Sequence, residues 1–83
     1  MTQQEKTILQ GLYAAEFRYA VRDGKWMLFG TDKFIRVLDN EWEPLNPEIN
    51  RVTDLDTVVD NMFDWIKPDS EQIEISKMIG GRR

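Results

Sequence analysis

The chain has 83 residues, enough for one domain near the lower size limit of a single unstapled core. Its 11 Lys and Arg stand against 15 Asp and Glu, a formal charge of −4, which argues against a general electrostatic affinity for nucleic acid. It has no cysteine and no histidine, which excludes disulfides, thiolate metal sites, the commonest general base and the strongest nucleophile.

The acidity is uneven: residues 1–52 carry seven basic and eight acidic side chains, residues 53–83 four and seven. No apolar run approaches the ~20 residues of a membrane-spanning helix, and no stretch has the layout of a signal peptide. With no cysteine present, the expected setting is the cytoplasm.

Thr2-Gln3-Gln4-Glu5 has the form of a capping box. Ile8, Leu9, Leu12 and Tyr13 follow at helical spacing, predicting an amphipathic helix over about residues 3–15. Phe17 to Leu45 reads as an antiparallel β-meander. Phe17-Arg18-Tyr19-Ala20-Val21-Arg22 alternates, and Asp23-Gly24 is a hairpin signal that places Val21 opposite Trp26 and Tyr19 opposite Leu28. A loop at Gly30-Thr31-Asp32-Lys33 would pair Leu28 with Ile35 and Trp26 with Val37. A turn at Asp39-Asn40 would pair Val37 with Trp42 and Arg36 with Glu43.

These registers agree on one core face: Phe17, Tyr19, Val21, Trp26, Leu28, Ile35, Val37 and Trp42. Pro44 marks an edge strand, and Asn46 and Pro47 a loop. Thr53 then caps a helix running to Lys67, whose stripe of Leu55, Val58, Val59, Met62, Phe63 and Ile66 would cover the Trp-rich face. Pro68 stops it. The tail from Asp69 to Ile79 fits a helix or an added strand equally, Gly80-Gly81 ends it, and residues 80–83 are expected to fray.

Catalytic groupings are absent. Ser70 and Ser76 have no evident activating partner, and there is no Gly-rich phosphate loop. Asp54 and Asp56 with Asp60 and Asp64 suggest a hard-cation site, but the spacing of Asp56, Asp60 and Asp64 describes a solvated helix stripe. Two surfaces remain. The acidic stripe, extended by Asp69, Glu71 and Glu74, would suit a basic groove on another protein. The second meander face, with Arg18, Arg22, Lys25, Phe29, Phe34 and Arg36, would hold single-stranded nucleic acid by stacking and phosphate contact. The competing expectation is that the first helix covers Met27, Phe29 and Phe34.

Leu12-Tyr13-Ala14-Ala15-Glu16-Phe17-Arg18-Tyr19-Ala20-Val21-Arg22-Asp23-Gly24, with Trp42 and with Phe63-x-Trp65-Ile66 followed by Asp69 and Glu71, resembles a recurring pattern in small uncharacterised proteins of Gram-positive phages and prophages. Those proteins often have a glycine where this chain has Glu16, and a longer turn than Asp23-Gly24. The resemblance covers most of the chain and brings no functional residues with it. It implies a setting in which small acidic proteins without catalytic groups act by binding host or defence proteins.

The expected fold is therefore α+β in one domain: an N-terminal helix, an antiparallel meander of three to four strands, a C-terminal helix on one sheet face and a short tail. The expected function is a non-enzymatic, cofactor-free protein-binding module, an inhibitor of a host or antiphage-defence protein. It would act through Asp56, Asp60, Asp64, Asp69, Glu71 and Glu74. Self-association through an exposed part of the meander is a further expectation. The alternative is single-stranded nucleic-acid binding through the basic and aromatic sheet face.

Overall fold

Thr2 and Glu5 close the capping box that the sequence announces. The Thr2 hydroxyl accepts from the Glu5 amide at 3.0 Å and the Glu5 carboxylate from the Thr2 amide at 2.8 Å. The computed structural model of the chain, which describes residues 1–38, 41–57, 62–67 and 69–80, starts helix α1 there (Gln3–Ala14). The helix ends in a Schellman motif. Phe17 N–H donates to Leu12 O at 2.9 Å and Glu16 N–H to Tyr13 O at 3.0 Å, with Glu16 in the left-handed region at φ 77°.

Strands β1 (Tyr19–Asp23) and β2 (Trp26–Gly30) form the expected hairpin. Gly24 has φ 59° and Lys25 does not share the positive φ, so the turn is centred on Gly24-Lys25 in the manner of type II′. Val21 therefore faces Leu28, and Tyr19 faces Gly30. The shift from the expected register is two residues, which leaves every side chain on its expected face.

After β2 the meander departs from expectation. Strand β3 (Phe34–Leu38) does not pair with β2; it pairs with β4 (Glu41–Pro44) in a separate two-stranded ribbon. The far edge of β2 is taken by β5 (Val52–Asp56), in five antiparallel pairs from Trp26↔Asp56 to Gly30↔Val52. A short β6 (Ile73–Glu74) lies on β1 and runs into helix α2 (Ile75–Met78), giving a sheet of order β5-β2-β1-β6. The class is α+β, as expected, but residues 53–56 open a strand and not the helix expected over Thr53–Lys67. Val58, Val59, Asp60, Pro68 and the Asp39-Asn40 turn lie outside the described residues, as do residues 81–83. The tail is both things at once, strand then helix.

The core face is also reassigned. Ala20, Met27 and Phe29 are buried under Leu9 of α1 together with Met62, Phe63, Ile66 and Ile75. So α1 covers Met27 and Phe29 of the second meander face, but not Phe34, which packs in the ribbon cluster. The face expected to be the main core holds a smaller cluster: Val21 buried with Phe34 and Trp42 of the ribbon, flanked by Tyr19 and Leu28. Trp26, Ile35 and Val37, assigned to that core from sequence, are exposed.

Two side chains explain why the ribbon stands apart. Gln72 Oε1 accepts from Phe34 N–H at 2.6 Å, and Asp23 Oδ2 accepts from Trp42 N–H at 3.1 Å. Both ribbon edges thus have main-chain groups satisfied by side chains in place of a neighbouring strand. Buried Asn50 holds the intervening loop: its Nδ2 donates to Asp32 O and Lys33 O at 3.0 and 3.1 Å, and its Oδ1 accepts from Asp32 N–H at 3.2 Å. Among the described residues no helix is long and apolar enough to cross a membrane.

Candidate docking surfaces

The expected acidic surface is dispersed. Asp56 sits on β5 with its carboxylate 3.5 Å from Lys25 Nζ. Glu74 sits on β6, at the opposite edge of the sheet, 3.7 Å from Lys77 Nζ. Asp64 is exposed in the turn after Phe63, and Asp69 and Glu71 are exposed before β6. Asp60 lies outside the described residues. With Asp56 on a strand, the helical spacing that united Asp56, Asp60 and Asp64 does not apply.

The basic and aromatic face is not assembled either. Phe29 is buried beneath α1 and Phe34 in the ribbon cluster, on opposite sides of the main sheet. The arginines hold carbonyls from other segments. Arg22 donates to Gly24 O at 2.6 Å, Ile66 O at 2.9 Å and Phe63 O at 3.2 Å. Arg18 donates to Tyr13 O at 2.8 Å and Phe17 O at 3.0 Å, with its guanidinium 4.1 Å from the Tyr13 ring centre. Arg36 donates to Ser70 O at 2.8 Å and lies over Trp42. Arg51, not singled out from sequence, donates to Ala15 O at 2.8 Å. Cationic forks at the carbonyl end of α1 also meet the negative end of its dipole.

Glu5 does more than cap a helix. It is buried at 4 % exposure, and beyond the Thr2 amide it accepts from Phe63 N–H at 2.5 Å and Trp65 Nε1 at 3.2 Å. Burial pushes its carboxyl up, but the donors from Phe63, Thr2 and Trp65, with the N-terminal ammonium, outweigh this and hold it below its ordinary value. Glu5 thereby pins Phe63 at φ 62°, a conformation rare for an aromatic residue.

The ribbon supplies a surface that the sequence did not disclose. Pairing of Lys33 with Leu45, Ile35 with Glu43 and Leu38 with Glu41 sets one outer face. A register shift between Arg36 and Leu38 makes Val37 the extra residue of a β-bulge. It keeps Arg36 on the inner side over Trp42 and turns Leu38 outward. Ile35, Val37, Leu38 and Leu45 are 47, 42, 62 and 48 % exposed. They are four of the nine large apolar side chains exposed among the described residues, so the exposure is concentrated there and not scattered. Exposed Glu41 and Glu43 lie among them on the same face. The only sequence signal for this was the even mixture of apolar and acidic residues between Ile35 and Leu45.

Elsewhere, an open polar depression of about 300 Å³ is lined by Arg18, Tyr19, Thr31, Asp32, Glu74 and Ser76. Its Thr31 hydroxyl is engaged with main chain, donating to Ile49 O at 3.4 Å and accepting from Arg51 N–H at 3.0 Å. Among the described residues no three Asp or Glu converge to hold a metal ion. No protein-family model, curated protein or solved structure matches the chain.

Proposed function

We propose that this chain is a non-enzymatic protein-binding module that docks through the outer face of the β3–β4 ribbon. The observation that carries this is the concentration of exposed Ile35, Val37, Leu38 and Leu45 on a ribbon whose inner face is already packed. Exposed apolar side chains gathered on one face beside charged ones are a usual mark of a protein interface. Glu41 and Glu43, which are not among the acids expected to bind, lie on this face and favour a partner groove with an apolar floor and a basic rim. The resemblance to phage proteins supplies the setting: a partner from the host or its antiphage defence, met in the cytoplasm.

The test is a comparison of the wild-type chain with an Ile35→Asp/Leu38→Asp variant in capture from host lysate, with melting curves of both. The wild type retains a partner that the variant loses, at matching melting temperatures. Loss of a central apolar anchor weakens binding by about 2 kcal/mol or more, about thirtyfold in Kd. Equal capture by the two proteins would remove the ribbon from consideration.

A further inference from the structure

We infer that the outer edge of β5 at Val52–Asp54 is a second docking site, which takes an extended basic segment of another protein as an added antiparallel strand. It rests on different observations from the ribbon and stands or falls separately. Thr57 N–H donates to Lys25 O at 2.9 Å and Thr31 N–H to Arg51 O at 3.1 Å. Those bonds fix which main-chain groups of β5 face β2, and alternation along the strand turns those of Val52 and Asp54 outward. Among the described residues β5 is an edge of the sheet, and Val52, Thr53 and Asp54 are exposed.

The other strand edges are poor templates. β6 has two residues, and the ribbon edges are occupied by Gln72 and Asp23. β5 by contrast has five residues with no proline, and it shows no bulge in its pairing with β2, the form of edge that invites strand addition. Charge chooses the occupant. Asp54 lies at the centre of β5, and antiparallel pairing with a second copy about this residue would set Asp54 against Asp54, an unfavourable like-charge pair. A Lys or Arg opposite Asp54 forms a favourable one. On the other side of the strand, Thr53 and half-buried Leu55 select an apolar or β-branched neighbour.

The experiment titrates the full chain with short synthetic peptides that alternate lysine and valine or glutamate and valine, followed by amide NMR and hydrogen exchange. The lysine–valine peptide is expected to shift and protect the Val52 and Asp54 amides. Asp54→Asn weakens it by roughly two- to fivefold, the worth of one cross-strand charge pair, and Asp54→Lys transfers preference to the glutamate–valine peptide. The Ile35→Asp/Leu38→Asp variant binds the peptide as the wild type does. Unchanged Val52 and Asp54 amides, protection confined to the ribbon, an unaltered preference in Asp54→Lys, or protection that rises with protein concentration in the absence of peptide would each overturn the inference. The last would make a second copy the occupant.

Discussion

Glu16 occupies a position made for glycine. At φ 77° its Cβ crowds the backbone in a conformation that costs an L-residue roughly 1–2 kcal/mol, yet the Schellman bonds of Phe17 and Glu16 require that conformation. Glu16→Gly is therefore expected to stabilise the chain by about 1 kcal/mol after the added unfolded-state entropy is subtracted, raising Tm by about 4–8 °C. A lower Tm in thermal melts would show that the Glu16 side chain contributes more than its backbone costs. Glu5 makes the opposite case, a polar residue that the interior needs. Its replacement by alanine leaves the amides of Phe63 and Thr2 and the Trp65 indole without their acceptor, at about 1–3 kcal/mol for each group that stays buried. Its pH signature follows from the direction of the shift. The folded carboxyl lies below the ordinary 4.5, so its contribution is complete above that value and is lost as pH falls through the folded pKa. Urea melts across this acid range should show a shallower loss for Glu5→Gln than for the wild type; parallel loss would assign the acid sensitivity to other carboxylates.

At the level of elements, Gly30 is where sheet, loop and ribbon meet. A Cβ there would lie 2.6 Å from Asn50 Oδ1 and 2.8 Å from the Phe34 ring, groups held by the Asp32 and Lys33 main chain and by the ribbon core. Gly30→Ala should lower stability by about 1–3 kcal/mol through overpacking, read as a drop in the urea midpoint with unchanged m. An unchanged midpoint would mean that Asn50 and Phe34 can yield together. The same junction explains what the sequence could and could not disclose. α1 was legible because Thr2, Glu5 and the Ile8–Leu9–Leu12–Tyr13 spacing are local signals. The faces of β1 and β2 were legible because a two-residue slip preserves them. Val52-Thr53-Asp54-Leu55-Asp56 was not, since a threonine followed by acids reads as a helix start and its alternation as a strand; the choice was made by the vacant edge of β2. The Val37 bulge was equally hidden: it moved the β3–β4 register by one, so that Arg36 and not Val37 faces Trp42, while the expected β2–β3 pairing is replaced by β2–β5. With β5 a strand, the acidic helix stripe lost its geometry, and with Phe29 and Phe34 in separate cores the basic face lost its aromatic floor.

The molecule as a whole is a sheet with unequal cores on its two faces. Among the described residues, eight buried side chains join α1, the sheet, the 62–66 turn and Ile75 on one side, whereas three, Val21, Phe34 and Trp42, flanked by Tyr19 and Leu28, form the ribbon core on the other. The smaller core is further weakened by Trp42 Nε1, a buried donor with no acceptor among the described residues. Apolar burial scales with stability, so the ribbon is the first unit expected to open. Native-state hydrogen exchange under increasing denaturant tests this. The Val21 and Phe29 amides should report global unfolding, while those of Ile35 and Glu43 in the ribbon ladder exchange through an opening at least about 1 kcal/mol lower. The Gln72 and Asp23 caps make a second discrimination. Gln72→Ala frees the Phe34 amide and should lower the ribbon opening energy more than the global one, because Gln72 bonds the ribbon and leaves the β1–β2 ladder untouched. A single exchange energy for both sets of amides would show that sheet and ribbon unfold as one unit, and that the apolar outer face is presented on a rigid platform. Two energies would place the proposed docking surface on the least stable element of the fold, where a bound partner would raise the ribbon value toward the global one by mass action.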